Sequence, residues 1–326
     1  MRKLYKIAVV GATGLIGRKL IKVLEKRNFP AKEITLFASE KSVGRCIYAL
    51  GKHRPVKTLN ENAFNGLDIV FFCAGSDISK TYTPIAIKCG AFVIDNSSAF
   101  RKIDEIPLII PEINGNILKN YNGKIISNPN CSTAISVLPL KTLDDNFGIK
   151  RIIYTSFQAV SGSGNKGIRD LKRCLNGNKP QFYPVNICKN CLPQIGNFSI
   201  FGYTEEELKM VDETRKILGK QIPISATCVR VPIENCHGVS ISVELEKPYL
   251  DEEIRGIFAT TKGITISDIP LCENANNKDE VLVGRIKRSF AFENGVDFYC
   301  VGDNTLKGAT LNAVQIAEKL ISFNKI

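Results

Sequence analysis

The sequence predicts an α/β protein of two domains, a parallel sheet covered on both faces followed by an α+β domain. Three observations lead there. A glycine-rich turn links a continuous apolar strand to an amphipathic helix at the start of the chain. Short apolar runs then alternate with helical patterns, the mark of a parallel sheet buried on both sides. Beyond residue 130 the strands lengthen, and some alternate apolar with polar residues as a half-exposed sheet does. At 326 residues the chain is long enough for two hydrophobic cores.

In "KIAVVGATGLIGRKLIKVLEKR" Ile7 to Val10 form the first strand, and Leu15, Leu20, Val23 and Leu24 recur at helical spacing. "EITLFAS", "LDIVFFCAG" and "AFVIDNSS" read as the second, third and fourth strands, with a helix around "SKTYTPIAIK" before the last. "GKHRPVK", which holds His53, reads as a basic loop. In the second domain "RIIYTSFQAV", "ISATCVRVPI", "GVSISVELEKP" and "DFYCVGD" read as strands. Among them "TEEELKMVDETRKILG" opens on a Thr204…Glu207 capping box and closes at Gly219. The final "LKGATLNAVQIAEKLISF" is an amphipathic helix that can return to the first domain. The expected division is 1–130, completed by 304–326, and 131–303.

A net charge of +12 would suit nucleic acid, but the basic residues are scattered and form no long block or aromatic-interleaved patch. No nucleic-acid partner is expected; a basic surface draws anionic ligands instead. The longest apolar stretches fall well short of the roughly 20 residues of a membrane span. The opening apolar run is too short for a signal peptide. The expected location is the cytoplasm. Eleven cysteines, an odd number, argue against a disulfide framework in that setting. Most sit in apolar stretches and read as small buried hydrophobes. Cys188 and Cys191 form the sole C-x-x-C, but a zinc site wants a second pair. They read as loop cysteines, and no metal is expected.

Gly11, Gly14 and Gly17 space as G-x-x-G-x-x-G between a strand and a helix. Such glycines let the backbone turn tightly and approach a pyrophosphate, whose charge the helix N-terminus stabilises. This is a Rossmann-type arrangement, in which Gly11, Thr13, Gly14, Leu15 and Ile16 are the candidate contacts to a dinucleotide. The second strand ends "FASEKSVGR". Ser39, Lys41, Ser42 and Arg45 suit a 2′-phosphate, while Glu40 could bind ribose hydroxyls instead. NADP is the expected cofactor over NAD.

"NPNCSTA" places Cys131 at the mouth of a helix, where roughly half a positive charge favours the thiolate. His53 and His237 are the two histidines of the chain. His53 reads as a solvated residue. His237 lies in "RVPIENCHGVSISVEL", at a turn between strands, and near-neutral titration makes it the natural general base for Cys131. Arg230, seven residues earlier, offers a planar fork for a substrate carboxylate.

Together "VGATGLIG", "DNSSAFR", "PEIN", "NPNCSTA", "FQAVSGSGNKG", "TCVRVPIENCH" and "DNTLKGATLNAVQIAE" resemble, in order, the motifs of the aspartate-semialdehyde dehydrogenase family. The resemblance runs from the first strand to the last helix. It implies NADP-dependent reductive dephosphorylation of 4-aspartyl phosphate to aspartate semialdehyde and phosphate, through a cysteine thioester, in lysine, threonine and methionine biosynthesis. It makes the second domain catalytic and dimerising, with a homodimer or a tetramer of dimers joined through its sheet. It implies that Cys131 is the nucleophile, His237 the acid/base and Gln158 an orienting glutamine. Arg230 would hold the α-carboxylate, Arg101 and Lys209 the phosphate, Glu206 the amine, and Asn130 the acyl phosphate. Ser161 and Gly162 would line the cofactor pocket, with Asn304 near the nicotinamide. Where the family usually reads Gly-His-Ser, this chain reads Cys236-His237-Gly238. The alternatives are an N-acetyl-glutamyl-phosphate reductase and a non-catalytic NADP-binding protein.

Overall fold

The computed structural model describes residues 3–326. Strand β1 (Tyr5–Val10) enters the glycine turn, and helix α1 (Leu15–Lys26) leaves it. There follow β2 (Ala31–Phe37), β3 (Cys46–Ala49), β4 (Lys52–Lys57), β5 (Ile69–Phe72), α2 (Ser76–Lys88), β6 (Phe92–Asp95) and β7 (Ile125–Ser127). They form one seven-stranded sheet in the order β3-β4-β2-β1-β5-β6-β7, parallel but for the β3–β4 pair. Ile7, Ala8, Val9, Ile69, Val70, Phe71 and Phe72 are fully buried, as the continuous apolar runs require of a sheet covered on both faces.

"GKHRPVK" is a strand and not a loop. β4 pairs antiparallel with β3 and parallel with β2. Leu50 and Gly51, both at positive φ (52° and 74°), close a two-residue hairpin of the twist that strands favour. His53 stays exposed there, packing edge-on against Tyr48.

The second compact unit, residues 130–308, begins with α3 (Cys131–Phe147). It continues with β8 (Ile149–Gln158), α4 (Gly164–Leu175), α5 (Glu205–Leu218), β9 (Ile224–Arg230), β10 (His237–Leu245) and α6 (Asp251–Thr260). Then come β11 (Ile264–Ile266), α7 (Cys272–Ala275), β12 (Val281–Arg288) and β13 (Gly295–Gly302). Its six strands run in the order β11-β12-β13-β10-β8-β9. Helices α3, α5 and α6 lie along the face carrying Ile152, Tyr154, Val239, Ile241 and Cys300, all buried. The opposite face, with Ile153, Thr155, Phe157, Ser240 and Ser242, bears no helix of that trio, and Ile153 is 45% exposed.

A π-helical turn (Leu306–Thr310) leads into α8 (Leu311–Ser322), which belongs to the first unit, residues 1–129 and 309–326. α8 packs on α1, where Arg27 pairs with Glu318 at 2.6 Å. Asn312 donates to Ile109 O (2.8 Å) and to the side chain of Asn128 (2.7 Å). Among the described residues no helix is long and apolar enough to cross a membrane. Four of the eleven cysteines are buried (Cys174, Cys228, Cys236 and Cys300), so the expectation that most are small core residues fails. Cys191 is exposed in a loop, and no group of three or more described His, Cys, Asp or Glu side chains could hold a metal ion.

Candidate active site

Asn130 is the N-cap of α3, and Cys131 is its first residue. The Asn130 side-chain oxygen accepts the backbone N–H of Ser132 (2.9 Å) and Thr133 (3.4 Å), satisfying donors that a helix start leaves open. Its Nδ2 donates to Glu206 Oε1 at 2.8 Å, and its backbone N–H to Glu213 Oε2 at 2.6 Å. Helix α5 thus grips both ends of the residue that precedes the cysteine. Glu206 and Glu213 are seven residues apart, two helical turns, and share one face. Gly308 approaches Cys131 so closely that a Cβ there would lie 2.9 Å from the cysteine Cβ.

Glu206 also accepts from Gln158 Nε2 (3.2 Å) and pairs with Lys209 at 3.3 Å. This is no ordinary surface pair, because Glu206 is buried. Burial alone would raise its carboxyl, but Lys209, the Asn130 amide, Arg230 and Gln158 together hold it below the usual range.

Gln158 ends β8, His237 opens β10, and the two are direct partners across that ladder; Arg230, the last residue of β9, pairs with Gln158 from the other side. One sheet end therefore brings three predicted residues together. Ala159 ties them further. Its N–H donates to His237 Nδ1 at 3.0 Å, and its carbonyl accepts Arg230 Nη1 at 2.7 Å. Burial, then the charge of Arg230, pulls His237 down to about 3. Near-neutral titration, the basis on which the sequence nominates this histidine, does not survive folding. A Cβ on exposed Gly162 would sit 2.7 Å from Arg230 Nη1 and 3.3 Å from His237 Nε2, so only a residue without a side chain fits against them unstrained.

The Cys-His-Gly departure has a structural account. Cys236 is fully buried at φ 74°, a left-handed conformation that glycine adopts freely and cysteine does not. Asn304 Oδ1 holds it by accepting its N–H at 2.9 Å, while Asn304 Nδ2 donates to Ser161 Oγ at 2.9 Å. Any side chain at residue 238 would run into the Tyr299 hydroxyl, 2.0 Å from a Cβ there. Glycine at 238 makes room for Tyr299.

In the first unit, Gly11 (φ 84°) faces the Cys73 carbonyl, 2.4 Å from where its Cβ would lie; a Cβ on Gly17 would come within 2.2 Å of the Gly11 carbonyl. Only glycine permits this turn. Gly14 is the N-cap of α1 and supplies no side-chain bond to its first N–H groups, which suits a ligand phosphate. Ser39 precedes a short 3₁₀ turn, Glu40–Ser42; Lys41 and Arg45 are exposed, while buried Ser42 reaches Thr13 at 3.5 Å. Leu15 and Ile16 are half-buried at the start of α1. Arg101, buried, donates from Nη2 to Asn96 O at 2.8 Å.

Sequence reasoning missed Glu213 and Ala159. Glu213 carried a usable signal, its two-turn spacing from Glu206. Ala159 acts through its peptide groups and carried none.

Residues 6–121 match the NAD binding domain of semialdehyde dehydrogenases, and 140–307 match their dimerisation domain. The aspartate-semialdehyde dehydrogenase of Aquifex aeolicus is 46% identical over 97% of this chain and 98% of its own length. That of Bacillus subtilis is 38% identical over 98% of each. The crystal structure of Vibrio cholerae aspartate semialdehyde dehydrogenase II complexed with ASA superposes with a TM-score of 0.95 at 39% identity, covering 98% of this chain and 99% of that one. With both domain matches in sequence order and relatives aligned from end to end, the chain belongs to the aspartate-semialdehyde dehydrogenase family.

Proposed function

We propose that the protein catalyses NADP-dependent reductive dephosphorylation of 4-aspartyl phosphate to aspartate semialdehyde and phosphate, in the cytoplasm, in the biosynthesis of aspartate-family amino acids. The observation that carries this reading is the placement of Cys131 as the first residue of a capped helix, in one unit with Gln158, Glu206, Arg230 and His237. A helix N-terminus favours the thiolate that such a reaction needs.

Cys131 attacks the acyl carbon, the C–O bond to phosphate breaks, and a thioester forms. The glycine turn (Gly11, Thr13, Gly14, Leu15, Ile16) would hold the NADP pyrophosphate, and Ser39, Lys41 and Ser42 its 2′-phosphate. Ser161, Gly162 and Asn304 are assigned to the nicotinamide end. Bound NADPH supplies the hydride that reduces the thioester. Arg230 orients the substrate α-carboxylate and Glu206 its amine. Lys209, Arg101 and Asn130 are assigned to the phosphate side, with Gln158 orienting the acyl group. His237 acts at the acyl oxygen. Neutral amino-acid analogues lacking the α-carboxylate would leave Arg230 buried beside an unfilled site, which is a strong basis for rejection.

The face of the second sheet opposite α3, α5 and α6, with Ile153, Phe157 and Ser240, is the surface through which a homodimer forms, and a tetramer would pair such dimers.

The test is NADP⁺ reduction by aspartate semialdehyde with inorganic phosphate. Absorbance should rise only when all three are present. Turnover independent of phosphate, or faster turnover of N-acetyl-glutamate semialdehyde, would overturn the reading.

A further inference from the structure

Three asparagines bridge the C-terminal ends of β6 and β7 and the start of α8. In open parallel sheets that end is where ligands bind. Asn96 follows β6, Asn128 follows β7, and Asn312 is the second residue of α8. Asn128 and Asn312 are buried, and Asn96 is half-buried. A backbone carbonyl only accepts, so it identifies the amide nitrogen of each side chain. Asn312 Nδ2 donates to Ile109 O at 2.8 Å, Asn128 Nδ2 to Ala309 O at 3.1 Å, and Asn96 Nδ2 to Phe72 O at 2.8 Å. With the nitrogens fixed, the remaining bonds run one way. Asn312 Nδ2 donates to Asn128 Oδ1 at 2.7 Å, and Asn128 Nδ2 donates to Asn96 Oδ1 at 2.9 Å. The carboxamides thus form a directed chain from the last helix to the loop after β6.

The chain ends on Arg101. Arg101 is buried, and its Nη2 donates to the Asn96 carbonyl at 2.8 Å. The N–H of that same peptide unit, on Ser97, donates to Asp95 Oδ1 at 3.1 Å. Asp95 is itself held by Ser79 Oγ and Ser97 Oγ, each at 2.7 Å. The peptide that braces Arg101 is therefore fixed by Asp95 on one side and by the asparagine chain on the other.

We propose that Asn312 is a positioning residue for the phosphate group of the reaction, because through Asn128 and Asn96 it sets the carbonyl that aims Arg101. The inference rests on the assignment of Arg101 to the phosphate side. A guanidinium presents its donors in a rigid planar fork, so tilting the carbonyl that holds one nitrogen re-aims the others. Buried carboxamides that satisfy one another hold a single arrangement, and losing one link leaves an acceptor unpaired. Asn312→Leu removes the donor to Asn128 Oδ1 with little change in volume. Asn128 then turns toward another donor, and its hold on Asn96 loosens.

Steady-state NADP⁺ reduction by aspartate semialdehyde reads the effect. Asn312→Leu should raise KM for phosphate by roughly 3–30-fold, the usual range of coupling carried by side chains that touch neither ligand. KM for aspartate semialdehyde and kcat at saturating phosphate should change less than about twofold. In an Arg101→Gln background the same substitution should raise KM for phosphate no further, because the group it acts through is gone. Equal rises in both Michaelis constants, or effects of the two substitutions that multiply, would overturn the inference.

A second measurement leaves the asparagines in place and decides the matter even if Asn312→Leu fails to fold. In 15N-labelled protein titrated with inorganic phosphate, the Nδ2 signals of Asn128 and Asn312 should shift, and in Arg101→Gln they should not. Reciprocity requires this, since a residue that alters anion affinity must itself respond to the anion. Signals that stay fixed while phosphate binds, or that shift equally without Arg101, would overturn the inference alone. Wild-type protein that binds phosphate without phosphate-dependent turnover would overturn the assigned reaction. Asn312 shifts that depend on Arg101 would in that case still support the positioning of the anion. Protein that neither turns over with phosphate nor binds it in equilibrium dialysis would overturn both.

Discussion

Asn130 donates its carboxamide to Glu206 Oε1 at 2.8 Å while its oxygen caps the helix that Cys131 begins. Helix start and acidic residue are thus one unit, and perturbing either should move Cys131, the proposed nucleophile. Asn130→Ala should lower stability by about 1 kcal/mol, the usual worth of an N-cap, and lower kcat well beyond what that loss explains. Asn130→Asp restores the cap but sets a carboxylate against Glu206, so it should recover little activity. Full kcat in the alanine variant would separate the cap from catalysis.

Arg230 has one proposed duty and one observed contact, which makes its conservative replacement informative. It is assigned to the substrate carboxylate, and its Nη1 also holds the Ala159 carbonyl at 2.7 Å. A lysine offers a point charge in place of a planar fork. Arg230→Lys should therefore raise KM and also lower kcat, because the Ala159 peptide that orients His237 loses its brace. A pure KM effect in steady-state kinetics would show that the brace is dispensable.

Gly238 and Tyr299 should behave as a coupled pair. Gly238→Ser, which restores the usual family residue, pushes a side chain into the Tyr299 ring and should destabilise by roughly 1–3 kcal/mol, as overpacking does. Combining it with Tyr299→Ala should recover part of the loss. Thermal melts of the four proteins close a double-mutant cycle, and additive effects would refute the coupling.

Cofactor choice should follow Lys41, which is exposed beside the 3₁₀ turn. Lys41→Ala should raise KM for NADP far more than for NAD. Ser42→Ala is a poorer probe, since Ser42 is buried against Thr13. Equal changes for both cofactors would mean that the 2′-phosphate is read elsewhere and would direct attention to Arg45.

Glu206 sets part of the acid limit of stability. Its carboxyl lies below the ordinary value in the folded chain, so its contribution is complete above the unfolded value of about 4.3 and fades as pH falls through the lower folded one. Lys209→Met removes the leading cause of that lowering. The acid limb of thermal stability should then move to higher pH. An unchanged limb would assign acid unfolding to other carboxylates.

Much of this was legible in local pattern. The glycine turn, the buried strands, the α5 capping box and the position of Cys131 each follow from a few adjacent residues. Family motifs added Gln158, Arg230 and Glu206 to one site, and the sheet register places Gln158 and Arg230 beside His237. What stayed hidden is non-local. β4 reads as a loop because Lys52, Arg54 and Lys57 give no apolar alternation; its pairing comes from the Leu50-Gly51 hairpin and the neighbouring β2. The acidity of His237 comes from burial and from Arg230, neither of which a sequence displays. Ala159 contributes only backbone atoms, which every residue possesses.

The return of α8 to the first unit has a consequence for how the molecule is made. Leu311, Ala313, Val314, Ile316, Ala317 and Leu320 are all buried, and Asn312 secures Asn128 and Ile109 in residues synthesised far earlier. On the ribosome, residues 1–129 emerge first but lack a packing layer supplied nearly two hundred residues later. Unit 130–308 is contiguous and has all its strands in hand before that helix appears. At about 5–20 residues per second, the nascent nucleotide-binding half waits seconds to tens of seconds with apolar surface uncovered. Chaperones that shield such surface should therefore engage this half and release it only once α8 has been synthesised.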